Sequence, residues 1–430
     1  MGRIGRLTGD RTVSPSITLP AEDRELHGAT NDICPLMSDT IKTAPAIRIS
    51  LHDSIHMIHR EDWGLVAKEA GPYLQYDHLR ALEDVMSDTV QFRYAIHYCE
   101  QNLPMGIAYF QVVDLVDQGS TYREALGQLG KGLGARIIKD MRLRTLVNGN
   151  VFHGGDHGSY FKHGIGPAYR YKAVENTLWM LGTADHLEPK VTVLLLKDMD
   201  APHTEGGESL SDKGYHAMAM DVNMVLEVDP AWKDLAGYAV ALNAKARTRL
   251  HAVQARSSQL RIVDLSANEI TSSANELQGL FKNVLDRSPF AFGRLKIDVY
   301  AQWKEQLGDK LLFRGYYLGD ELVGFCSAFV IGDMLDAQYV GLDYARNQEH
   351  MIYQRMLMDL LEFALANDLR RVNYGRTAEQ AKSNFGAEPQ GTRIYVKHRN
   401  VLANKLIGPF VRSVKPGAFE LRSPFKKVPV

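Results

Sequence analysis

The stretch GNVFHGGDHGSYF, Gly149 to Phe161, sets His153, Asp156 and His157 among closely spaced glycines, just after a run that reads as a strand. Two imidazoles and a carboxylate this close together can serve three ends: metal ligation, an acid–base pair, or plain loop polarity facing water. An imidazole titrates near pH 6.5, which suits proton transfer at neutral pH. Loop glycines let backbone N–H groups approach a reacting centre. As zinc ligands the three residues are poorly spaced, because one flexible loop supplies them all and no distant motif completes a tetrahedron. No metal is expected. A second histidine group, His52, His56 and His59 in LHDSIHMIHREDW, has spacings of four and three and would share one face if helical. The HExxH order is absent, and the strand-like AIRISLHDSI places His52 near a strand end, so surface or interface histidines are expected there.

Other polar groups follow predicted elements. In YGRTAEQAKSNFG, Arg376, Glu379 and Lys382 are spaced i,i+3, which makes a short charge network. The same cations can neutralise a phosphate or a polar head group, with arginine forking two oxygens at once. Lys245, Arg247, Arg249 and Arg256 read as a solvated helix face. From Gly391 to Val430 there are nine Lys or Arg against the single acid Glu420, a balance of +8, interleaved with Leu406, Ile407, Phe410, Val411, Phe419 and Phe425. Such a segment is either a solvated basic tail or a contact for an anionic membrane surface. Pro409 and Pro416 predict short irregular contacts there rather than one long helix.

These residues need a scaffold. At 430 residues the chain fits two domains, and 45% hydrophobic with 23% charged residues is the balance of a globular protein. A formal net charge of -1 gives no case for nucleic-acid binding. Cys34, Cys99 and Cys326 are far apart, which suits a reducing compartment. The N-terminus has no apolar signal region, and no aliphatic run is long enough to span a bilayer, so a cytoplasmic protein is expected. Residues 1–45 read as a loosely ordered arm. Beyond them one pattern occurs twice. The first copy has a helical stretch from Trp63 to Leu82, a hairpin turning at Gln101 to Pro104, a helix over 121–142, a strand over 143–151, and the apolar strand KVTVLLLKDMD. The second has helices over 268–286 and 290–306, three strands joined by two Gly-Asp turns, a striped helix from Tyr353 to Ala364, and the strand RRVNYG. Between them AWKDLAGYAVALNAKARTRLHAVQ predicts a helical pair, and Asp200 to Gly214 is the expected mobile loop.

This duplicated unit resembles the GNAT acyltransferases, and within them the tandem branch that includes the Fem peptidyltransferases. DMLDAQYVGLDY is similar to the splayed fourth GNAT strand, VNYGRTAEQAKSNFGAEP to the fifth strand and its turn, and LNAKARTRLHAVQ to the basic helix after Trp232 and Tyr238. The resemblance implies two tandem α/β domains, 46–230 and 231–430. Each would be a mixed, mostly antiparallel sheet flanked by helices, with a helical connection. DYARNQEHMIYQ departs from the pattern, since it lacks the glycines that would cradle a pyrophosphate.

The pattern GNVFHGGDHGSYF with GRTAEQAKSNFGA further resembles bacterial ceramide-synthase-like proteins, which acylate the amine of a long-chain base. That likeness implies transfer of an acyl group from acyl-CoA or an acyl-carrier protein to a long-chain primary amine, with no bound cofactor, at the inner membrane. Such chemistry needs a base, oxyanion donors and a place for the leaving thiol. His157 or His153 would be the base, oriented and raised in pKa by Asp156, and Tyr344 the proton donor to the thiolate. Arg376, Lys382, Tyr339, Arg346, Asp343 and Asn150 would bind substrate or carrier. The Fem likeness implies instead transfer from aminoacyl-tRNA to a peptidoglycan precursor. A non-catalytic lipid- or glycan-binding module is the alternative from another class.

Overall fold

The computed structural model describes residues 16–18, 48–114, 144–184, 190–200, 204–287, 293–413 and 419–426. The first half contributes β1 (Ser16–Thr18), β2 (Arg48–His52), β3 (Gln91–Tyr98), β4 (Pro104–Asp114), β5 (Arg144–Asn148), β6 (Ser159–Phe161), β7 (Val193–Asp200) and β8 (His216–Glu227). Its helices are α1 (Arg60–Ala67), α2 (Tyr76–Met86), α3 (Pro167–Thr183) and α4 (Thr204–Asp212). The pair α5 (Leu235–Ala241) and α6 (Ala244–Arg256) connects the halves. The second half has β9 (Leu260–Asp264), α7 (Ala267–Ser272), α8 (Ala274–Leu285), α9 (Val299–Leu307) and β10 (Leu311–Leu318). It continues with β11 (Glu321–Ile331), β12 (Met334–Leu342), α10 (Tyr344–His350), α11 (Ile352–Ala366) and β13 (Arg371–Asn373). The remaining elements are α12 (Glu379–Ser383), β14 (Glu388–His398) and α13 (Val401–Ser413).

The duplicated unit is present. In each half three antiparallel strands lead through a helix to a strand parallel to the third, β7 beside β5 and β13 beside β12. The two hairpins of the second half turn where expected, at Gly319 and Gly332, both with φ 58°. A side chain is disfavoured in that left-handed conformation, which is why glycine marks these turns. The strands join into one 14-stranded sheet, ordered β1-β2-β3-β4-β5-β7-β14-β8-β13-β12-β11-β10-β9, with β6 beside β4. Its centre is an exchange. Strand β14, late in the chain, pairs with β7 of the first half, while β8 of the first half pairs with β13 of the second. The exchanged strands pair antiparallel with each other from Glu388↔Val225 to Val396↔His216.

The largest core is shared between the halves. Trp63, Tyr73 and Tyr94 of the first half join Phe281, Trp303, Phe313 and Phe329 of the second in one buried cluster. Trp303 donates its indole N–H to the His78 carbonyl across the seam at 3.1 Å, and the wholly buried Trp63 donates to Leu74 at 2.8 Å. Each ring therefore buries its area without stranding its donor.

Several expectations are corrected. The helical stretch from Trp63 is interrupted: α1 ends at Ala67, and a 3-10 turn that starts at Pro72, where proline is readily accommodated, leads into α2. Asp200 to Gly214 is largely the helix α4, with Gly207 pressed against the Tyr395 hydroxyl. The basic segment is no loose tail. Gly391 to His398 lies inside β14, and α13 continues through Pro409 instead of breaking there. Phe419 and Phe425 pack against the second-half core, Phe425 stacking on Trp232 at 5.4 Å between ring centres. Of the expected solvated face, Lys245 and Arg256 are exposed, whereas Arg247 and Arg249 are half-buried, Arg247 donating to the Ala239 and Leu242 carbonyls and Arg249 to Asn384. Of the expected arm, Ser16–Thr18 pairs with β2. The rest of it and the expected 121–142 helix lie outside the described residues.

Phe425→Ala should therefore destabilise the protein by about 2–4 kcal/mol, the usual cost of emptying an aromatic site that is largely enclosed. Urea unfolding measures it, and an unchanged midpoint would show that the segment is not part of the core.

Candidate active site

Parallel pairing of β5 with β7 stops at Asn148↔Leu196, and Asp198, at φ 55°, turns the backbone of β7 just beyond. The glycine-rich loop fills the fork. Many bonds hold it: Val151 N–H donates to Gln111 at 2.7 Å, and Phe152 N–H donates to the Asn150 side chain at 2.9 Å. Asn148 donates to the Gly158 carbonyl at 2.9 Å and Gly155 N–H to Asp198 at 3.1 Å. From the second half, the Tyr339 hydroxyl donates to the Phe152 carbonyl. The loop is thus a fixed part of the seam, and His153 within it is 1% exposed.

The second fork faces the first. Pairing of β12 with β13 ends at Asp336↔Asn373. Asp336 and Gln338, two apart and so on one face of β12, turn toward the seam. The Asp336 carboxylate accepts from Tyr73 O–H, from Asn373 at 2.7 Å and from the Gln338 amide at 2.7 Å. Gln338 also lies 2.7 Å from His153 Nδ1 through its carbonyl oxygen. A carboxylate accepts only, so the Gln338 nitrogen must face Asp336 and its oxygen must face His153. His153 Nδ1 then carries the hydrogen and Nε2 the lone pair. That Nε2 is buried and has no hydrogen-bond partner among the described residues.

Electrostatics sharpen the arrangement. His153 is lowered to about 3 and His157 to about 4, chiefly by burial, with Lys197 acting in the same direction on both. Burial also holds His78, which lies flat on Trp303 at 4.3 Å, well below the usual imidazole range. These imidazoles are neutral at pH 7. Burial raises Asp336 to about 6 against the pull of its three donors. Lys197 donates to the His153 carbonyl at 2.7 Å and to Asp198, and burial lowers it to about 8. Asp198 is fully buried and also ion-pairs with Arg376. Burial alone would raise its carboxyl, but Lys197 and Arg376 outweigh burial and the net shift is downward. The cluster has what proton transfer beside an anion-stabilising charge requires.

Of the residues expected from sequence, His153, His157, Tyr339, Asn150 and Arg376 meet at the seam. Asp156 does so differently. Its carboxylate pairs with Arg170 at 2.6 Å, and both imidazoles are lowered rather than raised. Lys382 is buried, lowered by burial to about 7, and donates to the Gly375 and Arg376 carbonyls, so it braces the turn that carries Arg376. Tyr344, Asp343 and Arg346 are not brought in. They lie beyond the end of β12 at Leu342, which is itself about 13 Å along the strand from Gln338 at the usual rise per residue. Asp343 caps α10 through Ala345 N–H at 2.8 Å, Arg287 lies 3.6 Å over the Tyr344 ring, and Arg346 pairs with Glu321 at 3.4 Å. His52 ends β2, His56 pairs with Asp84 at 2.7 Å, and His59 is exposed. Sequence reading missed Tyr73, His78, Lys197, Asp198, Asp336 and Gln338. The available signals were a Lys-Asp pair in an otherwise apolar strand and two polar residues sharing one face of β12.

No protein-family model matches the sequence, and no curated protein does. Among solved structures the chain is similar to FemX, at 9% identity over 82% of this chain and 98% of that one, with a TM-score of 0.48. It is also similar to the tandem GNAT protein from the clavulanic acid biosynthesis pathway (11% identity, 82% and 99% covered, TM-score 0.46). L-PGS from Bacillus licheniformis is a third similar structure (12%, 78% and 91%, 0.46).

The shifted groups set a pH dependence of stability. His78, His97, His153 and His157 all titrate lower in the fold than in the open chain. As pH falls below 6.5, the unfolded chain binds protons that the folded chain refuses, so stability is lost toward acid. Asp336 acts oppositely: its contribution is present below the unfolded value of 3.8 and lost as pH rises through about 6. Four imidazoles outweigh one carboxyl, so the urea midpoint should fall between pH 6.5 and 4. His78→Phe, which replaces an unpartnered imidazole with an apolar ring on Trp303, should flatten that fall. An equal slope in the variant would contradict the assignment.

Proposed function

We propose that the chain is an N-acyltransferase that moves a long-chain acyl group from a CoA or acyl-carrier-protein thioester to the primary amine of a sphingoid-type long-chain base, at the cytoplasmic face of a membrane. The observation that carries this reading is the lone pair on His153 Nε2, buried, directed by Gln338 and flanked by fixed cations. Burial beside Lys197 and Arg376 disfavours an ammonium, so the amine enters neutral. Its nitrogen attacks the thioester carbon, the C–N bond forms, and negative charge gathers on the carbonyl oxygen. Arg376 is the fixed positive group for that charge, as Gly154 of the loop lies close to its Nε. The nitrogen, now a strong acid, gives its proton to His153. The C–S bond then breaks and the imidazolium returns the proton to the leaving sulfur, so the chain ends each cycle unchanged. A base this weak suits a proton taken after bond formation and not before it.

The test is thiol release from palmitoyl-CoA and from acyl-carrier protein, with sphinganine as acceptor and the amide product identified by mass. Absence of turnover with every donor and amine would leave a binding module, and transfer from aminoacyl-tRNA would establish the Fem-type chemistry instead. Given turnover, His153→Ala should lower kcat by about two to four powers of ten, and His157→Ala by less. Gln338→Glu should raise the imidazole pKa and shift the kcat–pH profile upward, which a merely structural glutamine would not do.

A further inference from the structure

The last helix carries its apolar residues on both sides. Toward the sheet, α13 buries Ile407 and Val411. Gly408 is pressed against the His216 ring, where a Cβ would lie 2.6 Å from Cε1. Asn404 on the same side accepts from His398 N–H at 2.8 Å and donates to the Gly214 carbonyl at 2.8 Å. Residues 404, 407, 408 and 411 therefore define the inner face, by the ordinary i, i+3, i+4, i+7 spacing. The outer face should be polar. Instead Val401, Leu402 and Leu406 stand there, 68%, 72% and 65% exposed. Three large aliphatic side chains displayed together on one short helix are uncommon on a surface that meets only water.

Charge selects the occupant. Between Glu388 and Glu420 the sequence holds Arg393, Lys397, Arg399, Lys405, Arg412 and Lys415 and no acid. Lys405, exposed on α13, stands between Leu402 and Leu406. A second copy docked on this face would set cations against the same cations, since a two-fold contact brings a patch to itself. Exposed aliphatic side chains on a helix within an acid-free basic segment match the layering of a bilayer surface, hydrocarbon beneath anionic phosphate. Among the described residues no helix is long and apolar enough to cross a membrane.

We propose that Val401, Leu402 and Leu406, with Lys405 beside them, form the surface on which the protein seats itself in the headgroup layer of an anionic bilayer. This deepens the acyltransferase reading and rests on it for its purpose, which is to meet an amine that partitions into lipid. Of the aromatic residues that the sequence offered, Phe419 and Phe425 are spent in the core, and the surface is aliphatic instead.

Flotation of the full chain with vesicles of phosphatidylcholine alone, or mixed with phosphatidylglycerol, is the direct test. Binding is expected to the mixed vesicles only, with release at about 1 M salt, where the screening length is about 3 Å. Leu402→Glu with Leu406→Glu changes two outward side chains, so the fold should persist, which circular dichroism checks. The double variant should bind at least about ten-fold more weakly while turning over a short, detergent-free amine at the normal rate. Equal binding of the double variant, equal binding to neutral vesicles, or no binding at all would each overturn the proposal. So would a dimer in sedimentation that the double variant abolishes, which would assign the face to a second copy. Because flotation uses no substrate, its outcome is separate from whether the chain transfers acyl groups.

Discussion

Strand exchange at the centre of the sheet is the constraint on which the other features depend. β7 has β14 as its outer neighbour and β13 has β8, so each half finishes its sheet with a strand from the other half of the sequence. Pulling the halves apart would strip two edges of their backbone partners, and unpaired buried N–H and C=O groups are costly. The forks that hold the glycine-rich loop and the Asp336–Gln338 pair are fixed to this central block. Their mutual distance is therefore a property of backbone pairing and not of a hinge. Hydrogen bonds such as Trp303 to His78, and Tyr339 to the Phe152 carbonyl, then orient rings whose positions are already set.

Within that frame the seam is ordered by burial more than by opposite charge. Desolvation is the largest influence on His78, His153, His157, Lys197 and Asp336 alike. It moves bases down and acids up, which brings groups of ordinarily distant pKa closer together. The ionic unit Lys197–Asp198–Arg376 stays charged because both cations share a single carboxylate. Such a unit adds little net stability against an apolar replacement, which is a reason to look for its value in chemistry.

Local signals were legible in the sequence and distant ones were not. The hairpins at Gly319 and Gly332, the apolar strand β7 and the stripe on α11 follow from neighbours within a few residues, and they appear as expected. Arg376 drew notice because it follows a strand, but its partner Asp198 lies on the other half, and nothing in the spacing of either residue announces the other. The basic segment misled for a physical reason. Composition records that Phe419 and Phe425 sit among cations; it does not record that Trp232 waits to stack on Phe425 and Tyr238 to meet it edge-on. The Asp-X-Gln pattern of β12 was readable as one polar face, yet only the fork makes that face meet Tyr73 and His153.

The position of β14 in the chain also constrains how the protein is made. Leu196 on β7 pairs with Tyr395, and Ala217 on β8 pairs with the same tyrosine from the other side. During synthesis the first half emerges complete in sequence but with two long, apolar strand edges open until the final segment leaves the ribosome. Pairings so distant in sequence close slowly, and open edges invite pairing with other chains meanwhile. A nascent first half is thus an aggregation hazard and a natural client for a chaperone, and a transcript cut short of β14 would yield a product unable to close its own sheet.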